Sequence, residues 1–93
     1  VIIGLIVLDL HLPQARSLKE KRMALNRIRA RIRQKFNAAC AELDFQDVWQ
    51  RARLGIVTIN SQKRVVEGQL QAVLKEVERA FEGETVVVEI QYL

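Results

Sequence analysis

The stretch VIIGLIVLDLHL, residues 1–12, decides the fold. Alternation places Ile2, Gly4, Ile6, Leu8, Leu10 and Leu12 on one face of an extended chain. Val1, Ile3, Leu5, Val7, Asp9 and His11 fall on the other. A strand that is apolar on both faces for most of its length belongs in the middle of its sheet or is covered on both sides. Pro13 ends it, because proline donates nothing to a ladder.

Working outward, residues 17–36 carry a helical period. Leu18, Leu25, Ile28, Ile32 and Phe36 share a stripe, with Lys21 beside it, where its long stem can snorkel. Ser17 stands three residues before Glu20, the capping-box spacing, and Asn37 occupies the place of a left-handed C-cap. Residues 38–45 read as a short strand with Ala38 and Cys40 inward and a bulge near Glu42. Residues 46–50 connect it to a strand over 51–60, where Ala52, Leu54, Ile56 and Thr58 alternate with Arg51, Arg53, Gly55 and Val57. A second helix over 61–82, capped by Asn60 or Ser61, buries Val66, Leu70, Val73, Leu74, Val77 and Phe81. Gly83 closes it, and residues 84–92 form a last strand with Val86, Val88, Ile90 and Tyr92 on one face.

The order βαββαβ, with right-handed crossovers, gives one ferredoxin-like domain over residues 1–93. Its class is α+β, with a four-stranded antiparallel sheet of order 4-1-3-2 and both helices on one face. The first strand is then central, as its two apolar faces require. The second face of the sheet carries Ile3, Leu5, Val7, Val57, Ile59 and Val87. This cluster of aliphatics is the expected interface of a homodimer or docked partner. No aromatic points outward from the two central strands, so base stacking on the sheet is not expected.

At 93 residues and 49% apolar, the chain builds one core, which excludes a disordered tail. A single cysteine, Cys40, cannot form an intrachain disulfide, so a reducing cytoplasm is the expected location. The longest apolar run, Ile2 to Leu8, is too short to span a bilayer and lacks a basic leader, so neither a membrane segment nor a signal peptide is expected.

Charge is unevenly placed. Residues 16–35 hold nine basic residues against Glu20 alone, a net +8, while the rest of the chain is −4. That asymmetry points to a polyanionic partner. Lys19, Arg22, Arg29 and Arg33 line one flank of the first helix and Arg27 and Arg31 the other, the expected phosphate contacts of a structured RNA or ribosomal assembly. A solvated helix face accounts for the same charges if no such partner exists.

Catalytic signals are weak. Asp9 and His11 share a face and could exchange a proton. Cys40 reads as a small core residue. Glu42, Asp44 and Asp47 cluster without the spacing of a calcium loop, and ion pairs to Arg51 and Arg53 explain them equally well. With no phosphate loop, zinc spacing or nucleophile elbow, no catalytic residue, metal or cofactor is expected. Trp49, alone in a polar connection, either folds back to plug the sheet edge, the favoured expectation, or stands exposed as a binding anchor.

The run Ala15-Arg16-Ser17-Leu18-Lys19-Glu20-Lys21-Arg22, the pair Phe36-Asn37 and the run Ala41-Glu42-Leu43-Asp44-Phe45-Gln46-Asp47-Val48-Trp49-Gln50-Arg51-Ala52 resemble the YlxP-like family of small bacterial proteins of unknown function. The resemblance spans nearly the whole chain. It implies a ferredoxin-like fold and, because genes of this family lie among those of translation factors, a ribosome- or RNA-associated role. It supplies no catalytic residues, and Phe45 stands where some relatives carry histidine.

Overall fold

A computed structural model describes all 93 residues. The elements follow in the order β1 (Ile2–His11), α1 (Leu18–Lys35), β2 (Ala38–Asp44), β3 (Arg51–Asn60), α2 (Lys63–Ala80) and β4 (Glu84–Tyr92). The sheet runs β2-β3-β1-β4 with every neighbouring pair antiparallel, so β1 is central as its sequence demands.

Both helices pack on the face that carries Ile6, Leu8 and Leu10 of β1 and Ala52, Leu54 and Ile56 of β3. They contribute Leu25, Ile28 and Ile32 from α1 and Leu70, Val73 and Val77 from α2 to one continuous core. Ala38 and Cys40 of β2 lean against that core from its edge. At Gly4 the side chains of α2 lie close over β1: a Cβ there would stand 2.3 Å from Val66 Cγ1, so only glycine fits without movement.

Helix ends follow the sequence in part. Ser17 Oγ accepts from the Glu20 N–H, and Glu20 Oε1 accepts from the Arg16 N–H, closing the first turn of α1. At the other end the C-cap is Phe36 in extended conformation, and Asn37 does not adopt the left-handed region. The N-cap of α2 is Gln62, without a side-chain bond; Asn60 Oδ1 accepts from the Gln62 N–H and so shapes the turn rather than capping the helix, and Ser61 takes no part. Gly83, at φ +154°, lies against the His11 carbonyl, where a Cβ would come within 2.0 Å.

Two irregularities reset which side chains face the helices. In β2 the pairing shifts between Glu42, opposite Leu54, and Asp44, opposite Arg53, leaving Leu43 as the extra residue. In β4 it shifts between Val87, opposite Leu8, and Glu89, opposite Val7. Val87 therefore shares the helix-side face with Leu8, and Val86, opposite Asp9, takes the place on the other face that simple alternation gave to Val87.

Candidate nucleic-acid interface

The cations of α1 divide into two groups. Lys21 is 1% exposed, with Nζ 2.9 Å from Glu42 Oε2 and donating to the Phe45 carbonyl at 2.6 Å. Lys35 and Arg31 reach across to Glu76 of α2, at 2.7 and 3.9 Å. These three are consumed in holding α1 to β2 and α2. Lysine 35 in particular holds the Glu76 carboxyl below the usual carboxylate range, against the burial that would raise it.

Arg16, Lys19, Arg22, Arg27 and Arg33 are exposed and make no ion pair. Lys19, Arg22 and Arg33 lie within about 60° of one another around the axis, at 100° per residue, and Arg22 and Arg33 are about 17 Å apart along it. Arg29 is half-buried and turns toward β2, lining a small recess with Cys40. Burial pushes the Cys40 thiol up, and the Arg29 guanidinium only partly offsets it. The free track is therefore Lys19, Arg22 and Arg33 on one flank and Arg27 on the other, with Arg29 and Arg31 turned to the protein.

The two motif runs meet at one end of the molecule. Lys21 joins Glu42 on the helix side of the sheet. On the opposite side Asp9 accepts from Arg53 Nε at 2.7 Å and from Arg51 at 2.9 Å, and both guanidiniums lie over the Phe45 ring. Phe45 adopts φ +65°, with its N–H held by Asp44 Oδ1. The bond from Arg53, supported by Arg51, holds the Asp9 carboxyl below its ordinary range. Asp9 is thus committed to arginine, His11 is exposed, and Glu42 lies across the sheet from both. Glu42 therefore does not converge with Asp9 and His11, and no group of three potential ligands could hold a metal ion.

Trp49 does not plug the sheet edge. Gln50 spans the gap at the surface instead, donating from Nε2 to the carbonyls of Pro13 and Ala15, while its backbone carbonyl accepts from the Leu12 N–H. Trp49 is left 51% exposed beside Val48, also exposed.

The second sheet face presents Val57 and Ile59 to solvent, with Ile3 and Leu5 half-buried between strands. Val7 is buried: Leu43 leans over Gly55, its partner in β3, and closes that end of the patch. On β4 this face continues with exposed Val86, opposite Asp9, whereas Ile90, also exposed, stands opposite Ile6 on the helix side. A cleft of about 570 Å³ between the start of α1 and the end of α2 is lined by Met23, Phe81, Arg27 and Arg79 among others. No helix is long and apolar enough to cross a membrane.

The fold and surface define a small ferredoxin-like α+β protein with a cationic first helix. A family model described as "Protein of unknown function (DUF503)" matches residues 3–90, and the chain belongs to that family. It is similar to the "Uncharacterized protein YlxP" of Bacillus subtilis (strain 168), 47% identical over 60 residues, which is 64% of this chain and 65% of that relative. The match thus spans just under two thirds of the relative's length. Among solved structures, a C-terminal segment of the alpha subunit of aIF2 from Pyrococcus abyssi matches with a TM-score of 0.57 at 19% identity, over 94% of this chain and 48% of that one. The de novo designed protein Foldit4 matches with a TM-score of 0.56 at 12% identity, over 99% and 94%. At such identities these likenesses concern the fold.

Proposed function

We propose that this protein is a non-enzymatic accessory factor that docks on the phosphate backbone of a structured RNA or ribosomal assembly through α1. The observation that carries the reading is the sorting of charge: the cations that hold the fold have partners, whereas Lys19, Arg22, Arg27 and Arg33 have none and face solvent. Unpaired cations on a rigid cylinder cost little conformational freedom to engage and release counterions when they meet phosphates. Such contacts position a backbone without reading sequence.

The test is a titration of labelled rRNA fragments at several salt concentrations. The Lys19→Gln/Arg22→Gln/Arg33→Gln variant should lower the salt slope by about one unit per charge removed, to the extent that each contacts a phosphate. Lys75→Gln, on exposed α2, should leave it unchanged. Negligible RNA binding at low salt would remove the reading.

A second reading is a homo-oligomer acting through the apolar sheet face, favoured by the exposure of Val57 and Ile59 beside Ile3 and Leu5. Under it, Val57→Glu or Ile3→Glu changes the sedimentation coefficient without unfolding the protomer. A wild-type chain that stays monomeric at high concentration would exclude it. Either way the working location is the cytoplasm, in keeping with the lone reduced thiol of Cys40.

A further inference from the structure

We infer that Trp49 stacks on an unpaired base of the RNA held by α1, so that the partner is single-stranded, or looped, where it crosses the 45–50 turn. The inference rests on the backbone-binding reading above and names the kind of RNA it takes.

Three observations carry it. The first is exposure: an indole is a large apolar group, and the core closes without this one. The second is rigidity. The turn that carries Trp49 is tied at both ends: Lys21 donates to the Phe45 carbonyl, Phe45 O also accepts from the Val48 N–H, and Gln50 donates to Pro13 and Ala15. A ring mounted on a tied turn has little backbone freedom left to lose when it stacks. The third is position. Gln50, next to Trp49, bonds the carbonyl of Ala15, and the unpaired cations Arg16, Lys19 and Arg22 follow directly in the chain. The indole therefore stands at the start of the basic track.

An aromatic platform beside a cationic groove is the physical recipe for single-strand binding: charge follows the backbone and each base offers a face to stack. The sheet cannot play this part, since β1 and β3 present no aromatic on the open face. Asp47 is the exposed carboxylate nearest in the chain and opposes a phosphate on that side. A protein partner gripping the same indole has no use for the adjacent row of cations unless it is itself acidic, and the test separates the two.

Trp49 is the sole tryptophan, so its emission reports on this position alone. The full chain is titrated with a single-stranded RNA 12-mer, with the same sequence as a duplex, and with polyphosphate. The single strand should quench the emission, and the polyphosphate should bind without quenching. Trp49→Ala should weaken the single strand about 5- to 100-fold and leave polyphosphate binding unaltered. Trp49→Phe should recover part of the loss, and Asp47→Asn should tighten binding. Salt-sensitive binding of the 12-mer with unchanged emission and a neutral Trp49→Ala overturns this inference while the basic-helix reading stands. Equal quenching and affinity for the duplex also overturns it. Failure of all three polyanions to bind at low salt removes both.

Discussion

Removing the Glu42 carboxylate tests the internal logic of the molecule most directly. Lys21 Nζ lies 2.9 Å from Glu42 Oε2, with side chains 2% and 16% exposed. At an effective dielectric constant of about 20 the attraction at that distance is about 6 kcal/mol. Withdrawing the two ions from water costs several kcal/mol each, so the pair as a whole adds little to stability. Taking away one partner is different, because the survivor keeps its desolvation cost and loses its compensation. Glu42→Ala strands the ammonium beneath the sheet edge with only the Phe45 carbonyl, and should cost about 3–5 kcal/mol. That is a drop in melting temperature of about 15 °C or more for a domain of this size. Lys21→Met should cost less, since Glu42 keeps some access to water and the methionine fills the stem's volume. The double variant Lys21→Met/Glu42→Leu should return to within about 2 kcal/mol of the parent. Urea denaturation of the four proteins measures each of these differences. A Glu42→Ala cost below about 1 kcal/mol, or a larger cost for Lys21→Met than for Glu42→Ala, would refute the argument.

Three further outcomes follow from other parts of the structure. Gly4→Ala should destabilise by about 1–3 kcal/mol in denaturant melts, since its Cβ would press on Val66 Cγ1 and part α2 from β1; a neutral result would mean that α2 sits farther from the sheet. The Asp9 carboxyl is held below its unfolded value, chiefly by Arg53, so its stabilisation is full above the unfolded carboxylate range near pH 4 and disappears as pH falls through the lower folded value. Asp9→Asn should thus be less stable than the parent at pH 7, with the difference shrinking toward pH 3; a constant difference would show that the arginine bonds are not its source. Cys40, whose thiol burial pushes up, should react slowly with a thiol reagent at pH 8 in the native state and rapidly once unfolded, and equal rates would contradict its packing against the core.

The element order and sheet topology were legible because they rest on local periodicity. A strand apolar on both faces had to be central, and the two helical stripes had to share a layer. What escaped depends on register. Alternation from Ala38 and Cys40 carries Glu42 to the helix side opposite Leu54, within reach of Lys21, and the extra residue at Leu43 then turns Asp44 to the other face opposite Arg53; no spacing in the sequence separates this from both carboxylates pairing with Arg51 or Arg53. The shift after Val87 likewise moves that side chain to the helix side. Glu76 gave no signal of burial, because its partners Arg31 and Lys35 lie on the other helix. Trp49 differs for a related reason: a large ring is the better plug by area, but the Gln50 amide donates to the carbonyls of both Pro13 and Ala15 where an indole offers one N–H.

These corrections sharpen where function must be sought. In the two motif runs, Lys21, Glu42, Phe45, Arg51 and Ala52 are all occupied in packing, pairing or stacking. Their side chains can be accounted for by the need to join α1 to the β2–β3 hairpin. Arg16, Lys19, Arg22, Asp47 and Trp49 stand in the same runs, are exposed, and contribute nothing to that joint through their side chains. A fold indifferent to function would tolerate alanine at each of these five positions within about 0.5 kcal/mol, as surface substitutions usually do. Stability neutrality combined with loss of RNA binding in the Lys19, Arg22 and Trp49 variants would therefore assign the exposed half of the motifs to recognition and the enclosed half to the scaffold. A loss of stability on replacing Trp49 comparable to that of Glu42→Ala would return the indole to the scaffold and leave the cations of α1 as the sole contact surface.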